Sequence, residues 1–402
     1  MKPAERIPPQ PWMEEPATRK VLAALEAGGK PARFVGGPVR DALLGRPVLD
    51  IDIATPEPPD RVMALLAKAG IKTVPTGLAH GTVTAVEKPR HFEITTLRRD
   101  VETDGRHATV AFTDDWAADA ARRDFTMNAL FLDGEGEVYD PLGGLPDLKA
   151  GHVRFVGDPE TRIREDVLRI LRFYRFIARY EKGEPDRAGR AACQALAHLL
   201  PGLSVERVAV ELLKLLGAPD PLPVLRIMVE DGVLPILLPE AVNLRRLTEL
   251  LPLEPTADPL RRLAALLDGG GEALGRRLKL SNEQAARLGA MTDPAWPVDP
   301  GEAEPGQRRA LHRLGPSLYR DLLLLRVAET GGKDRMAPLL AGAEAWQAKV
   351  FPLRGADLLK AGVPPGPEVG RVLAAVEAWW EENDFQPDRA ACLARLAELR
   401  GA

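Results

Sequence analysis

Apolar and polar positions divide the chain into two textures. From Pro31 to about Lys149, short runs rich in β-branched and aromatic residues alternate with helical stretches and Gly/Pro turns. The runs at 33–35, 51–53, 82–86, 92–94 and 130–132 have the length and composition of strands. Upstream lies a Pro-rich arm leading into a first helix at 17–27, stopped by Gly28-Gly29. After Gly151 a brief apolar run at 153–156 is followed by helical periodicity to the end. Helices are predicted at 205–216, 259–267, 282–291, 318–329 and 368–381, separated by Pro and Gly. The pattern predicts an α+β chain: an α/β head of about 120 residues, then an all-helical remainder.

One helical segment carries two stripes. Between 162 and 179, apolar residues at 163, 167, 170, 171, 174 and 177 share one face, and Arg162, Arg169, Arg172, Arg175 and Arg179 share another. Asp166 adjoins the arginine stripe three residues before Arg169, so on a continuous helix their side chains meet. The stripe holds arginine and no lysine, which suits planar recognition.

The chain has 402 residues, 45% hydrophobic and 28% charged, with a formal net charge of −4. That length allows two to four domains. A nucleic-acid surface here must be a local basic patch. No apolar run approaches the roughly 18 residues of a membrane span, and residues 1–9 lack a secretory signal. Cys193 and Cys392 sit in Ala/Leu-rich helical settings and are expected to be buried hydrophobes in a reducing cytoplasm. No segment asks for a membrane or an obligate protein partner.

The chemistry concentrates in three places. In the first, Gly36, Gly37 and Arg40 precede Asp50-Ile51-Asp52. Two carboxylates at strand spacing face one way and repel unless a cation lies between them. Mg²⁺ bridges such carboxylates to phosphates, Gly37 lets a triphosphate approach the backbone, and Arg40 supplies a clamp. Glu93, on a neighbouring run, is the candidate third carboxylate of a two-metal site. In the second place, Arg122-Arg123-Asp124 precedes Asn128, a set suited to phosphate or ribose contact. The third is the Asp166/Arg169 pair, in which a carboxylate only accepts hydrogen bonds and a guanidinium only donates them. Cytosine and adenine each offer an amino donor beside a ring-nitrogen acceptor, so such a pair accepts both. Uracil and guanine would be left with buried, unpaired groups.

The pattern from Gly36 to Asp52 resembles the nucleotidyltransferase superfamily, in the version of the class II (bacterial-type) CCA-adding enzymes and the related bacterial poly(A) polymerases. Arg122-Arg123-Asp124-Phe125-Thr126-Met127-Asn128-Ala129 resembles the family's R-R-D-F-T-x-N-A motif, and Glu165-Asp166-Val167-Leu168-Arg169 its base-selecting motif. The resemblance implies a polymerase-β-like head at 31–150 after an N-terminal arm and helix at 1–30. It implies a base-recognising neck at 151–216, a body at 217–335 and a tail at 336–402, both binding tRNA. Asp50, Asp52 and Glu93 are the implied catalytic residues, with Mg²⁺ on Asp50 and Asp52. Gly37, Arg40, Arg123, Asp166, Arg169, Arg172 and Arg175 are the implied nucleotide contacts. The substrates implied are CTP, ATP and the tRNA 3′ end.

Further resemblances are weaker. Asp140-Pro141-Leu142-Gly143-Gly144 is similar to a hinge, and the polar stretch around Asp104-Gly105-Arg106-His107 to the flexible loop that switches from C to A addition. Ser204, Glu206, Arg207 and Glu211 resemble the motif that braces the template helix. A poly(A) polymerase shares these motifs, although an acidic chain suits processive RNA binding poorly. An A-adding or CC-adding enzyme, a non-catalytic RNA-binding protein on the same scaffold and a small-molecule transferase also remain open.

Overall fold

The β-branched runs pair into a sheet whose register sets the position of the acidic residues. In the computed structural model, which describes residues 1–104, 107–241 and 243–401, the strands are β1 (Glu5–Arg6), β2 (Arg33–Val35), β3 (Ile51–Thr55), β4 (Lys72–Gly77) and β5 (Thr82–Glu87). They continue with β6 (Arg90–Thr96), β7 (Arg98–Asp104), β8 (His107–Phe112), β9 (Phe131–Leu132) and β10 (Glu137–Tyr139). Eight of them form one sheet in the order β1-β10-β9-β2-β3-β6-β5-β4. β3 and β6 run parallel, with Ile51 opposite Phe92 and Asp52 opposite Glu93. The crossover between them contains the helix Pro59–Lys68 and the β4–β5 hairpin.

Alternation along these strands buries one face. Ile51, Ile53, Val83, Ala85, Phe92 and Ile94 are at most 2% exposed. Helices Pro16–Glu26 and Pro59–Lys68 pack against each other and against β5 on that side. Asp52 and Glu93, at the opposite parity, emerge on the other face.

Three segments take a form that the periodicity does not show. The N-terminal arm supplies the edge strand β1, through Ala4 N–H to Val138 O at 2.8 Å and Ile7 N–H to Gly136 O at 2.9 Å. Two residues are too few for a periodic signal. The run at 153–156 is not a strand: Phe155 makes one bridge to Phe125, and its ring joins Phe125, Phe173 and Phe176 in an aromatic cluster. The stretch after Arg98, expected as a flexible loop, pairs as the antiparallel ribbon β7–β8. Gly105, Arg106 and the side chains of Asp104 and His107 lie outside the described residues.

The first of two compact units ends at Pro239. It runs past 216 to include helices Leu222–Glu230 and Val233–Leu237. The second, Glu240–Ala402, is helical throughout its described residues. It contains a buried ionic cluster in which Arg261 pairs with Glu254 and Asp321, while Arg262 pairs with Glu254. Two helical stretches meet at Gly315 (φ 72°) before Pro316, within Glu304–Thr330. Cys392 and Trp380 belong to a packed cluster around Leu358 and Val376, and Cys193 is also buried and free. No described helix is long and apolar enough to cross a membrane.

The hinge-like Asp140–Gly144 segment is held by its own aspartate, which accepts from Gly144 N at 2.8 Å and Leu145 N at 2.9 Å. A Cβ on Gly144 would lie 2.0 Å from the Thr126 carbonyl, whereas one on Gly143 would meet open space, with only its φ of +73° to strain it. Gly144→Ala is therefore expected to cost about 3 kcal/mol and Gly143→Ala about 1 kcal/mol. Urea denaturation measures both; equal losses, or the reverse order, would contradict this packing.

Candidate active site

Backbone geometry builds the centre of the site. β2 ends at Gly36, whose φ of +72° an L side chain resists, and the helix Gly37–Leu43 follows at once. β3 then brings Asp50 and Asp52 alongside, Asp50 just before the strand and exposed, Asp52 on it and half-buried. The parallel register sets Glu93 beside Asp52.

The neighbouring carboxylates act on Asp52. Burial, then Glu93, pushes the Asp52 carboxyl up to about 6, and Asp50 adds to the rise. Arg123 and Arg40 oppose it, which places their positive charge within reach of Asp52. Neither forms an ion pair with Asp50, Asp52 or Glu93 among the described residues. An excess of carboxylate oxygen, incompletely balanced, is the donor set a hard divalent cation takes.

The surrounding arginines are held by acids, several of which the sequence did not single out. Asp119, 1% exposed, accepts from Arg122 Nε at 2.8 Å and from Arg123 Nη2 at 2.8 Å. Burial would raise the Asp119 carboxyl, but the two guanidinium groups outweigh it and hold it low. Its position three and four residues before the arginines, in the helix Trp116–Ala121 that ends just ahead of them, was the available signal. Thus anchored, the Arg123 guanidinium lies on the loop side, its Nη1 3.8 Å from where a Gly36 Cβ would be.

Arg40, 9% exposed, is committed more deeply than a solvent-facing clamp. It donates to Asn128 Oδ1 at 2.7 Å and to Asp41 at 3.1 and 3.2 Å, and lies over the Tyr180 ring at 4.6 Å. Asn128 in turn donates to Asp124 at 2.9 Å, and Asp124 accepts from Arg172 Nε at 2.7 Å. Burial would push the Asp124 carboxyl up; Arg172, Asn128 and the Phe125 N–H together bring it below the usual range. Glu211 closes the chain, bonded to Arg175 Nε and 3.8 Å from Arg172. One network therefore joins the glycine loop to the arginine helix.

The expected continuous helix from 162 to 179 is corrected. Helices Pro159–Glu165 and Arg169–Tyr180 are separate, because Asp166 takes extended dihedrals (φ −151°, ψ 102°). Helical spacing consequently does not govern Asp166 and Arg169. Asp166 accepts from Arg207 Nη2 at 2.7 Å and from Leu168 N at 3.2 Å. Arg169 turns back to Glu165 at 2.7 Å, the Arg162 carbonyl at 2.9 Å and the Arg122 carbonyl at 3.0 Å. Arg179 points elsewhere, towards the Lys214 carbonyl. Glu165, quoted in the base-selecting motif without a role of its own, pairs with both Arg162 and Arg169.

Comparison with known proteins bears on this arrangement. The model of the poly(A) polymerase head domain matches residues 32–154. That of a probable RNA and SrmB-binding site of polymerase A matches residues 184–244. The CCA tRNA nucleotidyltransferase 1, mitochondrial, of Mus musculus is 34% identical over 384 residues, covering 89% of this chain and 84% of that protein. The CCA-adding enzyme of Levilactobacillus brevis is also 34% identical, covering 89% and 91%. The crystal structure of the Bacillus stearothermophilus CCA-adding enzyme in complex with CTP superposes with a TM-score of 0.80 at 30% identity, covering 96% of this chain and 98% of that one.

Without metal, the folded chain binds a proton at Asp52 in the window between 3.8 and about 6 where the unfolded chain has released it. The fold should thus lose stability as pH rises through that window. An NMR titration of the Asp52 carboxyl in metal-free protein should show a midpoint near 6. Glu93→Gln should lower it; an unchanged midpoint would contradict the coupling across β3 and β6.

Proposed function

This chain belongs to the class II CCA-adding enzymes, the tRNA nucleotidyltransferases, and from that premise we propose how its residues divide the work. It adds CCA to the 3′ end of tRNA from CTP and ATP, without a nucleic-acid template, and releases pyrophosphate. The observation that carries the assignment of roles is the opposition of Asp52 and Glu93 across parallel strands, beside Asp50 and within the field of Arg123.

Asp50 and Asp52 hold the divalent metal, Mg²⁺ in our proposal, and Glu93 completes the acidic set. When bound, such ions lower the pKa of the attacking 3′-hydroxyl and neutralise charge on the departing pyrophosphate. The chain's own contribution is placement. Gly36 and Gly37 leave the triphosphate room to approach the backbone. Arg123, fixed by Asp119, meets nucleotide oxygens, and Arg40 fixes the glycine loop through Asp41 and Asn128 while lending it positive charge.

Base choice falls to Asp166 and Arg169, each pre-set by a different partner. Asp166, with a side chain 31% exposed, keeps acceptor capacity for the amino group of C or A. Arg169, braced by Glu165, donates to the ring nitrogen beside that group. Arg172 and Arg175 hold the nucleotide side of the helix at the correct distance from the head. We assign transfer to the head at 31–150, base reading to the neck at 151–216, and tRNA binding to the helical segments at 217–335 and 336–402, in a cytoplasmic enzyme.

Asp50→Ala and Asp52→Ala should each lower CTP and ATP incorporation at least about 100-fold while leaving tRNA affinity nearly intact. Gel analysis of labelled tRNA products and a filter-binding assay read the two quantities; near-natural incorporation would refute the metal role. Asp166→Ala should reduce discrimination against UTP and GTP by about 10–100-fold. Unaltered selectivity would remove Asp166 from base recognition.

A further inference from the structure

A second group of metal-ligating side chains lies in the helical unit Glu240–Ala402. His312 belongs to the helical stretch Glu304–Thr330, and Glu377 and Glu381 lie one turn apart on the helix Pro367–Glu382. The i,i+4 spacing puts both carboxylates on one face. One ligand atom from each of the three residues lies within 4.8 Å of the others.

The buried member of the set is short of donors. Glu381 is 2% exposed, and its Oε1 accepts no hydrogen bond among the described residues. The Arg313 Nε is 2.9 Å away but donates to Oε2 instead. The His312 Nε2 stands 3.7 Å from Oε1, beyond hydrogen-bonding reach. Two carboxylates thus face one guanidinium and one imidazole, and an acceptor oxygen points at a nitrogen that does not bond to it. Oε1 keeps its ion-pair contact with Arg313 but accepts no hydrogen bond, and a cation placed among these atoms would take up that free acceptor. The imidazole is also held in place, with Trp380 edge-on at 5.7 Å and Phe385 at 5.1 Å.

We propose that His312, Glu377 and Glu381 form a structural divalent-metal site, separate from the acidic site of the head, that staples the helix Pro367–Glu382 to the stretch Glu304–Thr330. One imidazole and two carboxylates form the donor set of Zn²⁺ and similar borderline ions rather than of Mg²⁺. Zn²⁺ bonds of about 2.0–2.2 Å require the three side chains to draw together by about an ångström. Arg313 remains on Oε2 and balances the second carboxylate.

The test uses the full chain carrying Asp50→Asn and Asp52→Asn, so that metal uptake does not depend on the head. After EDTA dialysis, calorimetric titration with Zn²⁺ should show one tightly bound ion per chain and a higher melting temperature. Glu377→Gln and His312→Gln, both at partly exposed positions, should each weaken that binding at least about 10-fold with EDTA-treated melting unchanged. Should either variant fail to fold, Co²⁺ bound to the parent should show the visible absorption of an imidazole-ligated site. Absence of Zn²⁺ uptake, uptake indifferent to both substitutions, or Mg²⁺ binding of equal strength would overturn the proposal.

Discussion

Repulsion among Asp50, Asp52 and Glu93 is the constraint around which the head is organised. The parallel pairing of β3 and β6 fixes Asp52 opposite Glu93, and the burial of Asp52 makes its negative charge expensive beside that neighbour. A sheet does not tolerate that without a use for it. On the proposed reading, the crossover from β3 to β6 places these oxygens near the glycine loop and the anchored Arg123, where a divalent ion and a triphosphate would meet them. Strain of this kind concentrates at functional sites.

A second, neutralised set of charges transmits that geometry to the neck. The sequence of contacts from Asp41 through Arg40, Asn128, Asp124 and Arg172 to Glu211 alternates acids, amides and guanidinium groups with little exposure to water. Breaking a buried member leaves its partner's charge uncompensated, so the network specifies one orientation of the arginine helix. The arginines of the stripe are held by protein carboxylates: Arg169 by Glu165, Arg172 by Asp124 and Arg175 by Glu211.

Much of this was legible in the residues. Period-two alternation located β3, β5 and β6, and the Asp50/Asp52 spacing with two upstream glycines located the acidic centre. What failed was information that sequence spacing does not carry. The break at Asp166 was invisible because the apolar stripe continues through it, and a capping aspartate with extended dihedrals leaves no period of its own. The pairing of Glu5–Arg6 with Glu137–Val138 joins segments over a hundred residues apart. The bracing roles of Glu165 and Asp119 passed unnoticed because an acid beside arginines near a helix has the ordinary appearance of a solvated ion pair. The burial of Asp119 and the two arginines that Glu165 holds distinguish them.

The acidic cluster and the base-reading residues should act on one nucleotide. A crystal soaked with CTP and Mn²⁺ tests this directly. The expected result is an anomalous peak between the carboxylates of Asp50 and Asp52, with the cytosine edge against Asp166 and Arg169. No peak there, or a base seated away from both residues, would contradict it.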